Sequence, residues 1–105
     1  MNYRIRFHPA VADDLEAIMR WLIGYAGPEA ATRRLQEIDA AIASLAHLPH
    51  QGSRRDEIAP GLRAIPAGRK AVIAFTVDDA AREAYIHAVS YAGSDWMTRS
   101  RARPR

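Results

Sequence analysis

Between residues 9 and 48, apolar residues recur at the spacing of an α-helix, and Gly27-Pro28 interrupts that pattern once. Glycine readily ends a helix, and proline suits the first turn of the next one. Because the connection is so short, we expect two antiparallel helices packed side by side as a helical hairpin. The apolar positions are Val11, Leu15, Ile18, Met19, Leu22 and Ile23 before the break, and Leu35, Ile38, Ile42, Leu45 and Leu48 after it.

Strand patterns flank this predicted hairpin. Residues 3–7 alternate between apolar and basic side chains, which predicts a short strand with one buried side. After a loop at 48–61 that contains Pro and Gly, residues 62–92 are rich in β-branched and aromatic types and include two turn signals. We therefore predict an α+β fold of order β-α-α-β-β-β, with the hairpin packed on a mainly antiparallel four-stranded sheet.

The length of 105 residues fits one domain, which we assign to residues 1–97. Residues 98–105 carry four arginines, no acidic residue and no apolar pattern. We therefore expect them to form a flexible basic tail.

Composition excludes several classes of protein. The absence of cysteine excludes disulfides and thiolate chemistry. No segment reaches the roughly 20 apolar residues of a membrane span, and the N-terminus lacks the apolar core of a signal peptide. We expect a soluble, cytoplasmic protein with no membrane partner.

The charge is uneven along the chain. Residues 1–53 carry a net charge of −1 and residues 54–105 a net charge of +4. This imbalance favours an anionic partner without identifying it. All cations except Lys70 are arginines, which suits fork-like contacts to carboxylate or phosphate but is equally what a high-GC genome produces.

Two sets of polar residues are candidates for chemistry. Arg63, Arg69 and Lys70 form either a basic rim that meets an anionic partner or strand-end charges that face water. His87 and Tyr91 are predicted to share one face of the last strand, where they can act as acid and base. The favoured interpretation is a partly buried histidine beside tyrosines that fill the face, because no second ionisable partner is fixed by spacing.

Neither a metal nor a cofactor is expected. His47 and His50 are three residues apart, but Pro49 separates them and no further ligand follows at a suitable spacing. Trp21 lies at the edge of the first apolar stripe, where it is either the margin of the core or an anchor for a partner's helix.

The order and spacing of these segments resemble the RelE/ParE toxin superfamily, and most closely its ParE-like, plasmid stabilisation branch. "HPAVADDLEAIMRWL" is similar to the first helix of that family, "PGLR" and "RKAVIAF" to two of its strands, and "AYIHAVSYAGSDW" to its final strand. The resemblance spans residues 3–97.

The resemblance implies a toxin of a type II toxin–antitoxin pair. ParE-like members are implied to act on DNA gyrase, and RelE-like members to cut mRNA in the ribosomal A site. Both are implied to be neutralised by an antitoxin whose flexible tail buries apolar anchors beside the helical hairpin. We therefore expect a hetero-oligomer with a cognate antitoxin of the ribbon-helix-helix type.

Residue roles follow from combining the resemblance with the patterns above. We expect antitoxin contacts at Leu15, Ile18, Met19, Trp21, Leu22, Arg63 and Arg69. We expect target contacts at Trp96 and Arg99. The alternative, an mRNA endonuclease, would place Arg63, Arg69, Lys70, His87 and Tyr91 near the scissile phosphate.

The sequence departs from the family at its final strand. Ala88 stands where the family usually carries arginine, Tyr91 where it has histidine, and Ser94 where it has a later arginine. RNA cleavage without a metal needs a base, an acid and cations for the phosphorane, so these losses weaken the nuclease hypothesis. They favour action on gyrase by binding. A binding module of the same fold without toxicity is the third hypothesis.

Overall fold

The computed structural model describes residues 2–93 and 95–105, and it confirms the α+β fold class. Within those ranges the chain forms three helices around a five-stranded sheet of order β1-β5-β4-β3-β2. The elements are β1 (Arg4–Phe7), α1 (Val11–Ala26), α2 (Pro28–Ser44), β2 (Ser53–Arg54), β3 (Arg63–Ala67), β4 (Ala71–Asp78), β5 (Glu83–Tyr91) and α3 (Trp96–Ala102). Strand β1 pairs in parallel with β5, and all other neighbours are antiparallel.

The helical hairpin forms where the sequence predicts it. Gly27 adopts φ 90°, a left-handed conformation that favours glycine, and its N–H donates to the carbonyl of Ile23 at 3.0 Å. Pro28 then opens α2. This junction turns the chain back, so that α1 and α2 lie together on one face of the sheet.

The main core lies between the hairpin and the sheet. Ile38 and Leu45 from the second helical stripe are fully buried, as are Ile73, Phe75 and Ile86 from β4 and β5. Burying one such side chain stabilises the fold by roughly 1.5–3 kcal/mol. This layer therefore holds the hairpin against the sheet and determines which face of α1 is buried and which is exposed.

The prediction of a flexible tail at residues 98–105 was wrong, because the structure folds most of that segment against the opposite face of the sheet. Helix α3 and Trp96 cover a second, smaller core formed by Ile58, Leu62, Ala74 and Ala88. The arginines of the segment are bound internally. Their partners are Asp14 for Arg99 and Arg103, the carbonyl of Ile58 for Arg101, and Glu83 for Arg105.

The sheet has five strands where four were predicted. The additional strand, β2, is only two exposed residues long and pairs with Arg63 and Ala64. So short a strand carries no periodic pattern, which explains why residues 48–61 were interpreted as a loop.

A β-bulge in β5 changes which residues share a face. Ala74 pairs with Ala88 and Phe75 pairs with Ile86, so His87 is the extra residue. Strict alternation predicted His87 and Tyr91 on one face, and that prediction was wrong. His87 contacts Tyr85 and the C-terminal segment, whereas Tyr91 packs against the hairpin side.

Candidate functional site

A groove of about 520 Å³ lies between α1 and the C-terminal end of β5. Ile18 and Trp21 from α1 face Val89 and Tyr91 from β5 across it. Ala17, Ala92, Gly93, Asp14, Asp95 and Arg99 complete its lining. We call it the aromatic groove.

Aromatic rings form its outer wall. Trp21 stacks on Tyr25 with ring centroids 4.9 Å apart and planes within 11°, and it lies 5.7 Å from the ring of Tyr91. Trp21 is 47% exposed and Tyr25 is 73% exposed, whereas the exposed Met19 and Ile23 lie on the other side of the same helix. A cluster of large apolar side chains left in water marks an interaction surface, and Trp and Tyr dominate the anchors of such surfaces.

At the base of the groove, Asp14 is held by two arginines of the C-terminal segment. Its carboxylate lies 2.9 Å from a guanidinium nitrogen of Arg99 and 2.6 Å from one of Arg103. It also accepts a hydrogen bond of 3.0 Å from the N–H of Val89. The pairing of β1 with β5 ends at Phe7 and Ile86, so β1 provides no acceptor for the N–H of Val89. The carboxylate of Asp14 accepts that hydrogen bond instead.

Charge keeps Asp14 ionised despite its burial. Burial raises the pKa of this carboxyl, but the hydrogen bonds from Arg103 and the Val89 N–H, with the charges of both arginines, outweigh it and leave the pKa below its ordinary value. Asp14 therefore ties α1, β5 and α3 together as a charged anchor.

The position of Asp14 in the sequence indicates a buried charge, although it was not among the predicted site residues. Asp14 falls three residues after Val11 and four before Ile18, within the buried stripe of α1, and it is only 4% exposed. An acidic residue there needs a buried partner. Its distant partners, Arg99 and Arg103, follow from the tertiary fold and from no local spacing.

His87 has no ring nitrogen free for proton transfer. Nδ1 lies 2.7 Å from the carbonyl oxygen of Arg103, and Nε2 lies 2.9 Å from the hydroxyl of Thr76. A carbonyl only accepts, so Nδ1 carries the proton and Nε2 accepts from Thr76. Burial lowers the pKa of His87, with the charges of His8 and Arg105 acting in the same direction, so the ring is neutral near pH 7.

The structure does not bring the nuclease candidates together. Arg63, at the start of β3, donates to the carbonyl of His50 at 2.9 Å. Arg69 and Lys70 lie at the other end of the β3–β4 hairpin, close to Tyr91, since Ala71 pairs with Tyr91. His87 lies on the opposite face of β5 from Tyr91. Ala88, where the resemblance implies arginine, is fully buried in the core beneath α3.

The residues predicted to contact an antitoxin divide into two groups. Ile18 and Trp21 line the aromatic groove, and Arg69 borders a neighbouring depression, whereas Met19 is exposed on another face of α1. The others lie elsewhere, with Leu15 and Leu22 packed in the core and Arg63 at the far end of β3.

The residues predicted to contact a target make intramolecular contacts. Trp96 packs on the smaller core with the guanidinium of Arg55 5.9 Å from its ring centroid. Arg99 donates to Asp14 and, at 2.8 Å, to the hydroxyl of Ser90. Ser94 lies outside the described residues.

Two further properties concern the described residues as a whole. Across residues 2–93 and 95–105, no three His, Asp or Glu side chains are grouped so that they could hold a metal ion. None of the helices in these ranges has the length and apolar character needed to cross a membrane.

Comparison with known proteins identifies the relatives of this arrangement. Residues 5–96 match the family described as the ParE toxin of the type II toxin–antitoxin system parDE. No protein of curated function matches the chain significantly by sequence.

Solved structures share the fold. A chromosomal ParDE system from Pseudomonas aeruginosa aligns with a TM-score of 0.72 and 25% identity, over 86% of this chain and 96% of the other. A RelBE toxin–antitoxin complex from Mycobacterium tuberculosis aligns with a TM-score of 0.58 and 17% identity, over 87% and 99%. A mutant of Escherichia coli toxin RelE in the free state aligns with a TM-score of 0.64 and 11% identity, over 97% and 96%. The last two similarities concern the fold alone.

Proposed function

Because this chain belongs to the ParE toxin family of type II toxin–antitoxin systems, we propose that it inhibits DNA gyrase by binding and that a cognate antitoxin neutralises it. The partner is expected to be a ribbon-helix-helix antitoxin with a flexible tail, and the two chains are expected to form a hetero-oligomer in the cytoplasm. No cofactor takes part in this proposal.

The antitoxin half of the proposal rests on the aromatic groove. Trp21 and Tyr25 hold large apolar surfaces in water on α1, and Ile18 and Val89 provide an apolar floor. Burying apolar surface of this kind is the main favourable term in protein association. The groove thus fits the apolar anchors of a partner's tail.

The gyrase half rests on the family and on the dispersal of the nuclease candidates. His87 is buried and neutral, and Arg63 lies far along β3 from Arg69 and Lys70. An endonuclease needs a base, an acid and cations around one phosphate. The target surface in this proposal is the α3 side of the molecule. Its shape depends on the packing of Trp96 on the smaller core and on the ion pair of Arg99 with Asp14.

The experiment is inducible expression of the chain in a bacterial host, with and without a candidate antitoxin of the ribbon-helix-helix type. We expect growth arrest with filamentation and DNA-damage signalling, reversed by the antitoxin. Trp21→Asp is expected to leave toxicity intact and to abolish the rescue, because a carboxylate cannot occupy an apolar contact without loss. Leu48→Asp, which changes another exposed apolar residue away from the groove, is the matched control.

Other outcomes would select the remaining hypotheses. Prompt translation arrest with cleaved mRNA would replace gyrase by the ribosome as the target. Normal growth with a bound antitoxin would identify a non-toxic binding module.

A further inference from the structure

Three arginines converge on one buried carboxylate at the end of the sheet away from the aromatic groove. Arg4 and Arg6 extend from β1, and Arg105 reaches the same place from the C-terminal segment. All three guanidinium groups contact Glu83, the first residue of β5, at 3.8 Å from Arg4 and 3.3 Å from Arg6. Glu83 is only 8% exposed and lies beneath them. We call the surface that these three arginines form the arginine face.

Positive charge is in excess on the arginine face. Three guanidinium groups carry about fifteen N–H donors, whereas one carboxylate accepts about four hydrogen bonds. A second carboxylate, that of Asp78, lies 3.8 Å from Arg105. Asp79, in the adjacent turn, is occupied by the hydroxyl of Tyr3 and the ring of His50. Even when Asp78 is counted, three cations face two carboxylates.

The donors that Glu83 leaves unused are accessible to another anion. Arg4 and Arg6 keep 71% and 56% of their side-chain surface exposed. They are two residues apart in one strand, so they form a row on one face with a spacing of roughly 7 Å. The planar fork of arginine binds phosphate oxygens through two parallel hydrogen bonds. A row of such forks fits the repeated charges of a phosphate backbone.

The other residues of this surface favour a duplex over a peptide or a single strand. Phe7, the exposed apolar residue of β1, projects from the opposite face of the strand, because side chains alternate. The ring of Tyr85 is covered by the guanidinium of Arg105, 5.2 Å from its centroid, and by the ring of His87 at 4.9 Å. Single strands are held by bases stacked on open aromatic rings. A duplex keeps its bases stacked inside and presents its phosphates outside, as this surface requires.

The arginine face is separate from the aromatic groove. Glu83 and Tyr91 are the two ends of β5, so the face and the groove are roughly 26 Å apart along the strand. The groove opens on the hairpin side of the sheet, whereas Tyr85 and its contacts lie on the other side. The two surfaces can therefore be occupied at the same time.

We propose that the arginine face binds the phosphate backbone of duplex DNA, with Arg4, Arg6 and Arg105 donating to phosphate oxygens. Binding is independent of base sequence, because contacts to phosphate carry no sequence information. This inference goes beyond the proposed function and does not depend on it, since neither the groove nor a contact with gyrase enters the argument. The positive charge of the second half of the sequence thereby acquires an anionic partner of definite chemistry.

Fluorescence anisotropy of a short labelled DNA duplex of arbitrary sequence, titrated with the purified chain at several salt concentrations, tests the proposal. The logarithm of the binding constant should fall against the logarithm of the salt concentration with a slope of about −2 to −3, since each neutralised phosphate contributes about −0.9. Absence of binding at low salt, or a slope near zero, would overturn the proposal.

The double variant Arg4→Ala/Arg6→Ala should bind the duplex about tenfold more weakly at low salt and should make the slope shallower by about 2. Arg20→Ala/Arg33→Ala is the matched control, because it removes the same charge from exposed positions of the helical hairpin. The control should retain both the affinity and the slope of the parent protein. Equal losses in the two double variants would show that net charge alone attracts DNA, and the arginine face would not be the site.

Two competitors distinguish DNA duplexes from other anions. A single strand of the same length should displace the duplex less effectively, and polyglutamate should displace it less effectively still. If the single strand competes equally, the surface binds unpaired nucleic acid and the duplex assignment is wrong. If polyglutamate binds more tightly and with the same dependence on Arg4 and Arg6, the partner is an acidic protein and the proposal fails.

Failure of this inference is distinguishable from failure of the proposed function. If the chain arrests growth and an antitoxin rescues it, but the purified chain does not bind the duplex, the toxin assignment stands and the arginine face falls. If the duplex binds as expected and expression leaves growth unaffected, DNA binding stands and the proposed function falls.

Discussion

Asp14 is a charged residue at a position where an amphipathic helix ordinarily carries an apolar one. Two arginines and a backbone N–H surround its carboxylate, and the side chain is almost completely buried. Removing one partner from a buried ion pair leaves the remaining charges without compensation, which costs more than the pair itself contributes.

Asp14→Asn should therefore destabilise the protein by about 3 kcal/mol, because two guanidinium groups lose their counter-charge while the shape of the side chain is kept. Urea denaturation measures this change as a lower midpoint. Asp13→Asn, on the neighbouring exposed position of α1, is the matched control and should change stability by less than about 0.5 kcal/mol. Equal effects of the two substitutions would show that the ion cluster contributes nothing.

At the scale of elements, periodicity predicted the hairpin and the long strands correctly, because each has a stripe or an alternation long enough to read. The same reasoning failed at His87, since a bulge inserts one residue and reverses the face of every residue beyond it. It failed again for α3, whose seven residues have no apolar stripe and whose arginines find partners up to 89 residues away.

Strand β5 is covered on both faces, so there is little space for a larger side chain at position 88. Ala88→Arg, which introduces the residue that the family resemblance implies, should destabilise the protein by more than about 3 kcal/mol, because the guanidinium would enter the apolar layer beneath Trp96. Thermal unfolding of Ala40→Arg, at an exposed position of α2, is the comparison and should be close to that of the parent protein. A folded, stable Ala88→Arg variant would contradict this account of the α3 layer.

For the whole molecule, the sequence predicted the architecture and half of the groove, through Ile18 and Trp21. It did not predict the other wall, because Val89 and Tyr91 reach the groove only through the bulge and the pairing of β5. The basic cluster was predicted as one site, but Arg63 and Arg69 lie at opposite ends of a strand pair. Linear proximity of charges therefore did not indicate proximity in space.

The stability of the whole molecule should depend on pH in two steps. The pKa of His87 is lower in the folded state than its ordinary value of 6.5, so the unfolded chain binds more protons as the pH falls below that value. As the pH falls below about 6.5, protonation of this group in the unfolded chain should lower the free energy of unfolding by at most about 1.4 kcal/mol per pH unit. The lowered pKa of Asp14 adds a second loss below its ordinary 3.8.

Urea midpoints between pH 7 and pH 4.5 test the first step. His87→Gln should be less stable at pH 7, where it disturbs the contacts to Thr76 and Arg103, but its midpoint should vary less over this range. His47→Gln, at an exposed position, should retain the slope of the parent protein. If the midpoint of His87→Gln varied with pH as steeply as that of the parent protein, His87 would not be the cause of the first step.

The contact between Asp14 and Arg103 also affects the order in which parts of the fold can form. Closing a loop of this length costs more entropy than forming the local turns of the hairpin, so the hairpin can form first and the ion cluster last. A chain still emerging from the ribosome would already display Trp21 and Tyr25 before residues 99–103 could reach Asp14. A protein that recognises α1 alone would thus meet this chain before its synthesis is finished.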